Sequence, residues 1–231
     1  MLNNNYNYKL NGIEHEIILN NNLKIDQKPL NEKILVSNKY MLKYINDLFD
    51  YYSIEFCLLN NTLLGLYIFN GINIFNSTLE IGITENNIHK IKKIENNIKN
   101  NDFNILFNDN YIKISSIFLD KIKTTIYIYL LKSNNESDLI EYKNIDNNII
   151  NYEFYDIFPI KKQKFEEFEI SSPNKIEKVL IAHNFNLNYI IFTTKNIQNN
   201  SNKKKIIDEV EAEKSFINSF ISVIKPFFIK E

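Results

Sequence analysis

The chain has 231 residues, 44% of them hydrophobic and 13% aromatic, and a formal net charge of -1. That length and apolar content suit one well-buried domain and exclude general disorder. The near-neutral charge offers no global basic field, so no nucleic-acid partner is expected, and the single cysteine, Cys57, excludes an internal disulfide or a thiolate metal cluster.

Asparagine makes up about one residue in six, in runs such as Asn3-Asn4-Asn5, while arginine and tryptophan are absent. Residues with AT-rich codons are inflated and those with GC-rich codons are scarce, which makes a genome-wide codon bias the plain account of the asparagine runs. Without arginine, any bound phosphate has to be held by lysine, backbone N–H groups or a metal.

Residues 1–36 read as an N-terminal extension with two short strands. From Ser37, a candidate N-cap, apolar residues at 41, 42, 45, 48 and 49 predict an amphipathic helix. "IEFCLL" is a buried strand, "TLLGLYIF" a short helix and "LEIGI" a second strand. Thr84 is placed to cap a further helix with Ile88, Ile91 and Ile94 inward. Strands are predicted at 103–107, 111–118 and 122–131, with Ile126, Ile128 and Leu130 alternating with Tyr127, Tyr129 and Leu131. The polar segment 134–149 reads as a loop and the stretch after it as extended, leading to Pro173 in the first turn of a helix.

Residues 195–205 read as a lysine-rich linker, including the start of the run Lys203-Lys204-Lys205, and a final helix is predicted to about residue 228. Its apolar face carries Phe216, Ile217, Phe220, Ile221, Ile224 and Phe228, for packing on the domain, against a protein partner or on a membrane interface. The order of elements predicts a single α/β (α+β) domain over 37–194, with a mixed central sheet flanked by helices, and residues 195–231 as linker and C-terminal helix. With no basic-apolar leader and no run of roughly 20 apolar residues, the expected location is cytoplasmic.

One stretch carries a specific signal. Leu59-Asn60-Asn61-Thr62-Leu63-Leu64-Gly65 and Phe75-Asn76-Ser77-Thr78-Leu79-Glu80-Ile81-Gly82 match, without gaps, the two halves of the hallmark of the LicD/fukutin family. Phe158, Pro159, Phe165, Glu166, Pro173 and Leu180 fit that family's downstream block, with Phe185-Asn186 in place of its closing tyrosine–glycine pair. The chain therefore resembles a divergent LicD/fukutin protein of nucleotidyltransferase fold. The resemblance implies metal-assisted transfer of a phospho-substituent, such as phosphocholine or ribitol phosphate, from a nucleotide-activated donor to a glycan. Mg²⁺ or another divalent cation is the implied cofactor.

The chemistry needs positioning and charge neutralisation. Two carboxylates at i and i+2 on a strand point the same way and hold Mg²⁺. By the resemblance, the family's aspartates fall on Asn76, Ser77, Thr78 and Glu80, so Glu80 is the one carboxylate left. The third carboxylate falls on Tyr127 or, by another pairing, on Asp156, which makes Glu80 and Asp156 the candidate metal ligands. Glu85 and Asp120 are further acidic candidates. Asn60, Asn61, Thr62, Gly65 and Lys161 are the candidate nucleotide-binding residues, with Lys162 and Lys164 beside them. The double glycine has become Asn60-Asn61 and the phosphate-pairing arginine has become Ile68. Impaired catalysis is expected, and the alternative is a non-catalytic scaffold or interaction protein that keeps the fold.

Two other residue types have weaker claims. His15, His89 and His183 lack partners at metal-ligand spacing, and Cys57 lies in an apolar strand as a small hydrophobe.

Overall fold

A computed structural model describes residues 5–10, 13–19, 30–101, 103–118, 122–134, 138–183, 185 and 192–197. At the N-terminus, β1 (Asn5–Leu10) and β2 (Ile13–Leu19) form an antiparallel pair, as the two short strands predict. Helix α1 (Glu32–Tyr51) begins five residues before the expected cap. Asn31 caps it, its side chain accepting the Lys33 N–H at 2.8 Å, and Ser37 is instead an interior, fully buried helical residue. The predicted apolar positions Met41, Leu42, Ile45, Leu48 and Phe49 are all buried.

Strand β3 (Phe56–Leu58) leads into α2 (Asn60–Phe69) and then β4 (Thr78–Thr84). The helix expected after Thr84 is broken into a 3₁₀ turn at 85–87, α3 (Ile88–Lys93) and α4 (Glu95–Lys99). Thr84 is the cap residue of the 3₁₀ turn by position, but its hydroxyl accepts the Asn87 side chain and makes no capping bond to a backbone N–H. Ile91, Ile94 and Ile98 bury that broken helix against the core.

Strands β5 (Asn104–Phe107), β6 (Tyr111–Phe118) and β7 (Ile122–Asn134) follow. The segment 134–149 is not a loop: it holds β8 (Leu139–Lys143), which pairs with the end of β7 and with β9 (Ile149–Glu153). Only Ile140 and Tyr142 of β8 point into the core, too few apolar positions to reveal a strand by pattern. The stretch read as extended includes the single-turn helix α5 (Phe154–Ile157) before the hairpin of β10 (Lys161–Phe165) and β11 (Phe168–Ser172). Helix α6 (Ile176–Ala182) starts beyond Pro173, which precedes its cap residue, Lys175. Strand β12 (Phe192–Ile197) runs into the predicted linker and pairs with β2. The lysine run, the C-terminal apolar face and Asp120 lie outside the described residues.

The central sheet has the order β3-β4-β7-β6-β5, with β8 and β9 extending from the end of β7. Strands β4 and β7 are parallel and the other pairs are antiparallel, so the molecule is a mixed α/β fold whose mixed sheet is flanked by helices. Register aligns Leu79, Ile81 and Ile83 of β4 with Ile126, Ile128 and Leu130 of β7. These six are buried and share one apolar face. The other face carries Thr78, Glu80 and Gly82 beside Thr125, Tyr127 and Tyr129. Helix α1 lies against β4 and β7, while α2 lies between β4 and α6.

Candidate functional site

The conspicuous polar feature of the core is the Glu80 side chain, 8% exposed at the middle of β4. Alternation along the strand turns it away from the apolar face and toward the start of α2. Its Oε1 accepts from Asn60 Nδ2 at 2.8 Å and from the Tyr129 hydroxyl at 3.1 Å. Its Oε2 faces the Asn61 backbone N–H at 3.3 Å and the Asn61 side-chain amide at 3.5 Å. The carboxylate thus sits where a helix N-terminus offers free N–H groups to an anion. Burial pushes its pKa up, and the hydrogen bonds from Asn60, Asn61 and Tyr129 pull against that rise.

The local backbone explains how Asn60 and Asn61 reach it. Asn60 has a φ of 49°, in the left-handed region that glycine favours and asparagine tolerates. That turn throws the chain from β3 into α2 and aims both asparagine side chains at β4. Thr62, 2% exposed, ties the two elements from the other side, its Oγ1 accepting the Glu80 backbone N–H at 2.7 Å. Gly65 serves a packing need: a Cβ there would lie 2.5 Å from Asn73 N and 2.6 Å from Gly71 O. Asn73 in turn donates to Asn61 O at 3.3 Å.

A row of aromatic side chains extends the site. Tyr142 donates to Asn60 Oδ1 at 2.8 Å and lies 3.0 Å from His183 Nε2, and the Tyr152 hydroxyl also meets that nitrogen. The rings of Tyr127, Tyr129, Tyr142 and Tyr152 follow one another at centroid spacings of 6.4, 4.9 and 5.9 Å. Burial raises the pKa of Tyr129, Tyr142 and Tyr152, keeping all three phenols protonated, and lowers His183 to about 4, keeping its ring neutral.

The structure brings Glu80, Asn60, Asn61 and Thr62 into one cluster, with Gly65 supporting it from within α2. The other sequence candidates lie elsewhere. Asn76 uses its Oδ1 to accept the Thr78 N–H at 2.7 Å, an Asx turn that starts β4, and Ser77 is exposed. Register sets Tyr127 beside Glu80, so a phenol occupies the neighbouring-strand position where a third carboxylate would stand. Asp156 is 8% exposed and paired with Lys175 at 2.9 Å; it makes none of the hydrogen bonds to Glu80. Glu85 pairs with Lys132 at 3.1 Å. Lys161 is exposed and reaches Asn174 O at 3.4 Å, Lys162 holds Asp50 at 2.7 Å, and Lys164 is exposed on the same strand.

Among the described residues, no group of three or more His, Cys, Asp or Glu side chains could hold a metal ion. Cys57 is fully buried, and burial pushes its thiol up to about 12, an inert packing residue.

Sequence reasoning did not single out Tyr129, Tyr142, Tyr152, Asn73 and His183 as partners of the site. The alternation in "TTIYIYLL" does put Tyr127 and Tyr129 on one face, which was the available signal. Tyr142 sat in a segment read as a loop.

No protein-family model and no curated protein matches the chain. Among solved structures it is similar to the lincosamide antibiotic adenylyltransferase LnuA with lincomycin bound. That likeness has 15% identity and a TM-score of 0.38, over 65% of this chain and 85% of the other. An overlap so loose carries no argument about the site. Among the described residues, no helix is long and apolar enough to cross a membrane.

Proposed function

We propose that this chain is a nucleotidyltransferase-like domain that has become catalytically silent and works as a scaffold or interaction module. One observation carries the reading: both oxygens of Glu80 are already taken by donors from Asn60, Asn61 and Tyr129. A carboxylate serving Mg²⁺ presents lone pairs to the metal and shares it with further anionic oxygens. Here the lone pairs face N–H and O–H groups, and the carboxylate itself fills the anion niche at the start of α2.

The second reading is the activity that the LicD/fukutin resemblance implies, metal-assisted transfer of a phospho-substituent from a nucleotide-activated donor to a glycan. The placement of Asn60, Asn61, Thr62 and Glu80 around one helix start favours it. For that reading Glu80 has to turn away from its donors, and Asp156 has to leave Lys175. Thermal melting of the full chain with Mg²⁺, Mn²⁺ or Ca²⁺, each with and without a cytidine or adenine nucleotide, separates the two. The silent-domain reading expects an unchanged midpoint in every pair. Divalent-dependent stabilisation that disappears in Glu80→Gln would overturn it in favour of transfer.

A further inference from the structure

Three tyrosine rings lead from the surface of the sheet to Glu80, and the charges beside them differ in sign. Tyr129 is 1% exposed and donates to Glu80 Oε1 at 3.1 Å, so its proton already points at a carboxylate. Its ring lies 6.4 Å from that of Tyr127, centroid to centroid, and nearly parallel to it at 11°. Tyr127 meets Tyr111 edge-on at 5.5 Å, and both are half-buried, so the row reaches solvent there. The Lys113 ammonium sits over the Tyr127 ring, 5.6 Å from its centroid. On the inner side Tyr142 follows at 4.9 Å, but its hydroxyl donates to Asn60 Oδ1, the oxygen of a neutral amide.

We propose that Tyr129 and Glu80 form a proton-coupled redox site, which gives an electron through Tyr127 to a one-electron oxidant at the surface and keeps a tyrosyl radical in the core. The oxidant takes an electron from Tyr127, whose proton leaves to solvent. Tyr129 then returns an electron to Tyr127, which regains a proton from solvent. In that second transfer the Tyr129 O–H bond breaks and its proton passes to Glu80 Oε1. The net products are a neutral Tyr129 phenoxyl radical, a neutral Glu80 carboxylic acid and the reduced oxidant. Neither a metal nor a nucleotide enters the step.

Three features hold the radical at Tyr129. Oxidation there discharges a buried carboxylate, and a neutral pair is easier to bury than an anion. Burial also raises the Glu80 pKa, which makes it a better proton acceptor. Lys113 opposes positive charge on the Tyr127 ring, while the Glu80 carboxylate favours it at Tyr129. Transfer further inward stops because the amide oxygen facing Tyr142 is a far weaker base than a carboxylate.

Freeze-quenched EPR of the full chain, oxidised by photogenerated ruthenium(III) tris-bipyridine, tests the site. The expected result is a tyrosyl signal that outlives the one formed in the urea-unfolded chain. Tyr129→Phe loses the long-lived signal. Glu80→Gln loses it too, because the amide keeps the shape but cannot take the proton. Tyr127→Leu lowers its yield. Four results overturn the site: a folded wild type whose signal decays like that of the unfolded chain, a Tyr129→Phe protein or a folded Glu80→Gln protein with the wild-type lifetime, or a Tyr127→Leu protein with the wild-type yield. Where the variants do not fold, electron–nuclear double resonance on the wild type decides. A proton hydrogen-bonded to the phenoxyl oxygen supports the pair, and a radical without one overturns it.

Discussion

At the scale of the residue, Glu80 shows how a buried charge is tolerated. Its cost is offset by donors from three residues, and removing the acceptor strands those donors together. Glu80→Ala is therefore expected to cost about 3 kcal/mol in urea unfolding, with Glu80→Gln costing less because it keeps a hydrogen-bonding partner. An Ala variant as stable as the wild type would mean that the network adds nothing. His183 gives a pH signature of opposite origin. Its folded pKa, about 4, lies below the ordinary 6.5, so between those values the unfolded chain binds more protons than the folded one. Its contribution is intact above about 6.5 and is lost as pH falls toward 4, by at most about 3 kcal/mol. Unfolding curves across that range should lose this slope in His183→Gln.

The elements are positioned by contacts that leave little tolerance. Gly65 lets α2 lie directly on the backbone of residues 71–73, and Gly65→Ala is expected to cost about 1–3 kcal/mol by forcing α2 off that loop. The same shift would disturb Asn60 and Asn61, so the variant should also change the amide chemical shifts around Glu80. At the start of α1, Asn31→Ala removes the one side-chain cap seen there and should cost about 1 kcal/mol. An equal loss in Ser37→Ala would contradict the placement of the cap. Strands β4 and β7 were readable because both alternate along their length. The position of β8 was not, because its two inward residues acquire a core only once β7 has run past the end of β4.

Across the whole molecule, the hairpin of β10 and β11 is strapped over α1 by charge. Lys39, 6% exposed, holds Glu166 at 2.6 Å and Glu167 at 2.7 Å, while Glu166 N donates to Asn70 O at the end of α2. Burial pulls the Lys39 ammonium pKa down, and the two glutamates more than reverse it. Lys39→Ala leaves Glu166 nearly buried without its cation, which is expected to cost about 3–5 kcal/mol. Lys39→Met with Glu166→Gln should recover most of that loss, and a double variant as unstable as the single one would show that packing matters more than charge. Lys162 of β10 closes the same hairpin onto Asp50 at 2.7 Å.

Composition and periodicity by themselves determined the fold class, the helix around residues 41–49 and the existence of strands β3, β4, β5 and β6, while Asn60, Asn61, Thr62 and Glu80 were joined only by the resemblance of their stretch to the LicD/fukutin hallmark. These are properties of short stretches, where local alternation and turn chemistry decide the outcome. Whether Glu80 stands ready for a metal or is already satisfied was decided only in three dimensions. Its partner Tyr129 lies 49 positions away, and Asn60 is held in turn by Tyr142, 82 positions away. Such partners are chosen by the pairing of β4 with β7 and of β7 with β8, which no local pattern encodes. The same motif in the same turn can face a cation or a ring of donors, and here the sheet brought donors.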